Sequence, residues 1–259
     1  MNTIRSQECS QRIRKEAAQL QQKKFRTQRK MLLIEGLLPL QEAAQSAYRI
    51  AEIFYDPGLL EKPGTAEFIA GIQSKDKARC YSVSSRELRE LSSEVTPQGI
   101  VATAEQSVYE PGDLKGNLLL LDGIRDPGNA GTLFRIAHWF GLGGLLLTSD
   151  SVEAFNPKVV RGSMGSVFHL PFLECGEIPE PLLREHTLIL SRVHEGSDIR
   201  EIPREGIQPF ILAIGNEARG VSAVWNDLPH RDLTLPAPGT AESLNAAVAA
   251  AVILTKLLY

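Results

Sequence analysis

Arg135 follows Asn129 by six residues in the stretch DGIRDPGNAGTLFRIAHWFG, Asp122 to Gly141. The turn around the start of this stretch spends Gly123, Pro127, Gly128 and Gly131, which frees main chain to pass close to a ligand. A guanidinium is a permanent cation with a fork of donors, suited to gripping an anion or steadying a developing negative charge. The plain alternatives at this point are a helix-capping asparagine and a surface arginine.

Two later stretches carry the same kind of residue. IGNEARGVS, Ile214 to Ser222, places Gly215, Glu217, Gly220 and Ser222 after an apolar run. LPAPGTAESLNAAVAA places Leu235, Pro236, Gly239, Ser243, Leu244 and Asn245 between the last apolar run and the last helix. Taken alone, Glu217 reads equally as a first-turn acid favoured by a helix dipole, and Ser243 and Asn245 as helix caps. Cys9, Cys80 and Cys175 are isolated, no C-x-x-C exists, and the five histidines are scattered. Neither a disulfide framework nor a zinc site is expected, and a reducing, cytoplasmic setting fits. The chain has no P-loop, no G-x-S-x-G, no H-E-x-x-H and no dinucleotide fingerprint, so the usual kinase, hydrolase, protease and dehydrogenase readings lose their support.

The elements that must position these residues form two halves. From residue 30 to 105 short apolar runs alternate with helical patterns: KMLLIEG and AYRIAEIFYD read as strands, LPLQEAAQSA and SSRELRELSS as helices, the latter opened by Ser84 or Ser85. YEPGDLKGN, residues 109–117, reads as a linker. Beyond it NLLLLDGI, GGLLLTS, VFHLPFL, TLILSRV, FILAIGNE and LTLPAP are continuous apolar runs separated by helix-compatible stretches. Continuous runs are buried on both faces, which predicts a parallel α/β sheet. In such sheets ligands sit at the carboxyl ends of the strands, where all three turns lie. The closing segment SLNAAVAAAVILTKLLY is apolar nearly all round and needs burial on more than one side, which a homodimer interface would supply.

With 259 residues, 43% of them apolar, the chain can bury a sizeable core. No window is long and apolar enough for a membrane helix, and no membrane partner is expected. The net charge of −3 conceals a basic end: residues 1–30 carry nine Lys/Arg against Glu8 and Glu16, leaving −10 elsewhere. Such an end reads as a polyanion contact or as a solvated helix face. Ile13, Ala17 and Leu20 at helical spacing give it one packed side.

The three turns, in this order and each after a strand, closely resemble the signature motifs of the SpoU (TrmH) family of RNA 2′-O-ribose methyltransferases, within the SPOUT superfamily. The resemblance spans residues 114–259; residues 1–108 look more loosely like the RNA-binding domain that many members carry. It implies a parallel sheet with a C-terminal deep trefoil knot, preceded by a smaller α/β RNA substrate-binding domain. It further implies a dimer packed through the terminal helix and S-adenosyl-L-methionine as methyl donor, with no metal. By resemblance Arg135, Asn129, Glu217, Ser243 and Asn245 stand at the reaction centre. Main chain around Gly215, Leu235, Gly239 and Leu244 would hold the cofactor. Arg135 is often given in the family as the base; its permanent charge favours a clamp on phosphate and alkoxide instead. Asn129 would fix the turn or orient Arg135. Lys158, Arg161 and Ser163, in NPKVVRGSMGSVFHLP, read as RNA contacts or as a plain connector. The expected substrate is structured RNA, with 23S ribosomal RNA favoured and transfer RNA the alternative. A non-catalytic RNA binder and a base-methylating SPOUT enzyme are the rivals.

Overall fold

The computed structural model describes residues 4–194, 196–201, 207–216, 218–237, 239–240 and 242–259. The chain divides into two compact units, Met1–Val108 with Phe155–Phe168, and Tyr109–Ala154 with His169–Tyr259.

In the first unit, β1 (Ser6–Gln7) leads into helices α1 (Gln11–Ala18) and α2 (Lys23–Arg29). Then follow β2 (Met31–Glu35), α3 (Leu37–Gln45), β3 (Ile50–Tyr55), α4 (Thr65–Asp76), β4 (Arg79–Ser82), α5 (Ser85–Leu91) and β5 (Ile100–Glu105). The sheet order is β1-β4-β3-β5-β2, with β5 antiparallel to both of its neighbours. Ala17 and Leu20 pack with Leu33, Phe54, Tyr81 and Leu88, so the basic N-terminal segment does present one apolar side to a core. Its charge is another matter. Arg26 is 2% exposed and donates to the Leu20 carbonyl at 2.5 Å. Arg14 pairs with Glu87, Arg12 with Glu16, and Arg29 donates to the Glu16 carbonyl. Part of the surplus is therefore structural, while Lys15, Lys23, Lys24 and Lys30 remain exposed. Ser84 caps α5 in a reciprocal box: its Oγ accepts from Glu87 N at 3.3 Å, and Glu87 Oε2 accepts from Ser84 N at 2.9 Å.

The segment 155–168, whose helix α7 is Pro157–Gly162, belongs to this first unit. Tyr48 meets Phe155 and Phe168 edge-on, centroids 6.1 and 5.0 Å apart, and Arg161 pairs with Glu94 at 2.6 Å. Ser163 is wholly buried; its Oγ donates to the Val160 carbonyl at 2.7 Å. That corrects its reading as an RNA contact, because a hydroxyl spent closing a helix inside the core cannot reach a nucleic acid. Of the three residues considered there, only Lys158 is fully exposed.

The second unit holds β6 (Leu118–Asp122), α6 (Pro127–Trp139), β7 (Gly144–Thr148), β8 (Phe172–Cys175), α8 (Glu180–Glu185), β9 (Thr187–Arg192), β10 (Ser197–Asp198), β11 (Phe210–Gly215), β12 (His230–Thr234) and α9 (Ala246–Leu258). Its sheet order is β10-β12-β9-β11-β6-β7-β8, and every neighbouring pair is parallel. β6 lies inside the sheet, with Leu118–Asp122 buried throughout, as a continuous apolar run requires. Two strands are displaced from the runs that announced them. In VFHLPFL, Ser166–Phe168 forms a 3-10 turn and the strand begins only at Phe172, after Pro171, which has no N–H for the ladder. In LTLPAP the strand ends at Thr234 and begins at His230. Of its five residues only Leu233 is fully buried, so the pattern is that of a partly exposed strand.

Candidate active site

The first turn is fixed from three sides. Asp122, 2% exposed at the end of β6, accepts from Ser222 N at 2.5 Å, Ser222 Oγ at 3.0 Å and Trp225 Nε1 at 3.0 Å. One buried carboxylate thus satisfies three donors from the chain beyond β11. Gly123 follows with φ +67°. It donates to Thr148 Oγ1 at 2.9 Å, and its carbonyl accepts from Asn216 Nδ2 at 3.1 Å. A Cβ here would be strained by the left-handed backbone and would stand 3.2 Å from the Asp150 carboxylate.

Helix α6 then starts on Asp126, whose Oδ1 accepts from Asn129 N at 2.8 Å, with Pro127 in the first helical position. Asn129 is therefore not the cap; it stands in the first turn of the helix. Its Oδ1 accepts from Asn245 Nδ2 at 2.8 Å. Asn245 in turn caps α9, its Oδ1 taking Ala247 N at 3.0 Å and Val248 N at 3.3 Å. Arg135 is exposed and has no hydrogen-bond or ion-pair partner among the described residues. Six residues at about 100° each put it roughly 120° around the helix from Asn129, so Asn129 holds Asn245 rather than orienting Arg135.

The second turn leaves β11 at Gly215, where an added Cβ would fall 2.0 Å from the Gly220 carbonyl carbon; no other residue fits. The turn closes on itself through Gly220 N to Asn216 O at 2.7 Å and Ala218 N to Asn216 Oδ1 at 2.9 Å. Glu217 lies outside the described residues.

Between the second and third turns lies a cavity of about 300 Å³. Gly215, Leu235, Gly239, Ser243 and Leu244 all line it, with Ser191 near the end of β9 and His194 just past it. Leu244 is 52% exposed, a large apolar side chain presented to a cavity instead of to the core. Arg192 also reaches the wall but is held by Asp232 at 2.6 Å and by Asn226. An apolar cavity with a few polar groups and accessible main chain, at the lower end of the usual ligand-site volume, is suited to a flat heterocycle with a polar tail. Asp122, Asn216 and Glu242, the last a wall residue of the cavity, were not singled out from the sequence. Asn216 adjoins Gly215 in the second turn, and Asp122 had read only as the end of a leucine run. No group of metal-ligating side chains exists among the described residues, and no described helix is long and apolar enough to cross a membrane.

Both parts of the chain match known families. The family model described as the SpoU rRNA Methylase family matches residues 116–255, and one described as an MRM3-like substrate binding domain matches residues 11–102. The chain is 32% identical to the 23S rRNA (guanosine(2553)-2′-O)-methyltransferase RlmP of Bacillus subtilis over 94% of each chain. It superposes on the AdoMet-bound rRNA methyltransferase of Sinorhizobium meliloti with a TM-score of 0.82 and 25% identity, covering 99% of this chain and 98% of that one. The SpoU methyltransferase AviRb of Streptomyces viridochromogenes, in complex with AdoMet, gives 0.82 and 25% over 96% and 97%.

Proposed function

This chain belongs to the SpoU rRNA methylase family, and on that premise we propose that it methylates a ribose 2′-hydroxyl of structured RNA, with S-adenosyl-L-methionine as donor and 23S ribosomal RNA as substrate. The observation that carries the reading is the Asn129–Asn245 hydrogen bond, which joins the arginine-bearing helix to the segment walling the cavity. Full-length similarity to a protein named as a 23S rRNA 2′-O-methyltransferase supports the choice of RNA.

The donor, when bound, supplies a methyl group already activated on a positively charged sulfur. The chain's task is to hold two reactants in line and exclude water. Leu235 and Leu244 would cover the donor's adenine, and main chain at Gly215, Leu235, Gly239 and Leu244 would supply the hydrogen bonds that fix it. Arg135, permanently charged, clamps the phosphate beside the target and stabilises the alkoxide as the 2′-hydroxyl loses its proton. Ser243 and Asn245 frame the reacting ribose. No protein nucleophile or metal is required.

Two architectural readings accompany this. The cavity draws its walls from the chain after β9, after β11 and after β12, and β12 returns to pair with β9 before α9 packs against α6. That path supports a C-terminal trefoil knot. Val248 and Val252 on α9 and Tyr259 just past its end form one exposed stripe, 49%, 47% and 67% accessible, which supports a homodimer packed through that helix. Residues 1–108 serve as the RNA substrate-binding domain and 114–259 as the methyltransferase domain, in the cytoplasm.

The test is methyl transfer from labelled S-adenosylmethionine to 23S rRNA transcript, followed by nucleoside analysis. A 2′-O-methylnucleoside is expected, abolished by Arg135→Ala with cofactor affinity near normal. Cofactor binding without labelled RNA would make the chain a non-catalytic RNA binder. A methylated base in place of a methylated ribose would overturn the proposed reaction.

A further inference from the structure

We infer that Arg125 is a second RNA contact of the active-site turn, gripping a backbone phosphate of the substrate; this rests on the methyltransferase reading above. Arg125 projects from a loop whose main chain is pinned on either side. Gly123 N is held by Thr148 Oγ1 at 2.9 Å and Ile124 N by Ser151 Oγ at 3.0 Å. The Ile124 carbonyl accepts from Val152 N at 2.8 Å, and Asp126 closes the first turn of α6. The side chain stands 59% exposed, with Nη2 3.5 Å from Asp150 Oδ2. That separation is too long for a good hydrogen bond, so the carboxylate aims the guanidinium by attraction without using its donors. Asp150 is itself fixed by Thr148 Oγ1, which donates to its Oδ1 at 2.8 Å.

A structural role explains this arrangement poorly. An exposed pair contributes little to stability, and the loop is already stitched by main-chain hydrogen bonds that do not involve Arg125. A pre-aimed fork of five donors is instead the geometry that phosphate recognition uses. The cation also stands one residue before the cap of α6, where the helix dipole adds positive potential, and four residues before Asn129. Arg125 does not line the cavity, which assigns it to the RNA and not to the cofactor.

The experiment compares wild type with Arg125→Ala, Arg125→Lys and Asp150→Asn. It measures steady-state kinetics on 23S rRNA transcript, filter binding of that transcript across a salt series, cofactor affinity and melting temperature. Arg125→Ala is expected to raise KM for RNA about tenfold with kcat within about twofold, and to flatten the log–log salt slope by ~0.7–0.9, the share of one phosphate contact. Cofactor affinity and melting stay unchanged. Arg125→Lys recovers part of the loss, since it restores charge without the fork, and Asp150→Asn shows a smaller rise in KM than Arg125→Ala. An unchanged KM and salt slope overturns the assignment, as does a fall in melting temperature with the slope intact. A loss confined to cofactor affinity overturns it too. Wild-type protein that labels no RNA would count against the methyltransferase reading, whereas the filter-binding slope judges Arg125 independently of turnover.

Discussion

Asn245 donates from Nδ2 to Oδ1 of Asn129 at 2.8 Å, linking residues 116 positions apart, while its own Oδ1 caps α9. Both ends of one amide are thus committed, and the commitment sets its orientation: the cap needs the oxygen, which turns the nitrogen towards Asn129. One side chain begins the last helix and ties it to the first turn of the arginine-bearing helix.

The two jobs are separable. Asn245→Ser keeps a capping oxygen but loses the donor to Asn129. Its melting free energy should stay within about 0.5 kcal/mol of wild type, whereas Asn245→Ala loses about 1 kcal/mol. Both should lower kcat at least tenfold in the labelled-methyl assay. A serine variant with full kcat would reduce the Asn129 link to an accessory of capping.

Leu244 presents apolar surface to the cavity while half exposed, so burying it against a bound heterocycle is a gain realised only on binding. Fully burying a leucine is worth ~1.5–3 kcal/mol, and about half of that remains to be gained here. Leu244→Ala should therefore weaken S-adenosylmethionine binding about five- to tenfold by calorimetry. Thermal stability should fall by no more than about 1 kcal/mol, the share of the side chain already covered in the free protein.

How much of this could be read beforehand follows from which forces act locally. The three turns were legible because glycines, a permanent cation and a capping amide are demanded by backbone geometry and charge at fixed offsets. The parallel sheet was legible in its unbroken leucine runs, and α5 in its serine cap. Asp122 was not, since its three partners come from Ser222 and Trp225, about a hundred positions away. β12 was misplaced because His230, Arg231 and Asp232 pair with β9 through main chain, which leaves no apolar signature. The inclusion of 155–168 in the first unit depends on Tyr48 and Glu94, which no reading of the segment itself could supply.

The stripe of Val248, Val252 and Tyr259 should be covered by a second copy. Val252→Glu puts a charge in its middle and leaves the buried side of α9 untouched. Light scattering should report a dimer for wild type and a monomer, or a dimer at least tenfold weaker, for the variant. A wild-type monomer would remove the homodimer from the proposal.

The basic N-terminal segment divides into two classes of cation. Lys15, Lys23 and Lys24 are exposed and free to meet phosphate, so replacing all three by Ala should flatten the salt dependence of RNA binding by up to ~2–3. Arg26 is buried against the Leu20 carbonyl. Arg26→Ala should cost ~2 kcal/mol or more through lost packing and a carbonyl left without its donor. An unchanged slope in the triple variant would make the whole segment structural.

Acid should weaken the first unit through Asp56. The Ser85 hydroxyl, and then Gly58 N at 2.9 Å, hold its carboxyl below the usual range. A folded value below the unfolded one means the contribution is fully present above the ordinary aspartate pKa of about 3.9. It is lost as the pH falls through the lowered value. Asp56→Ala should accordingly destabilise by about 1 kcal/mol near neutrality, the cost of a lost cap. The gap between the two denaturation curves should narrow as the pH falls below that ordinary value and on through the lowered one. A gap that stays constant down to pH 2 would mean that the Asp56 charge contributes nothing to folding.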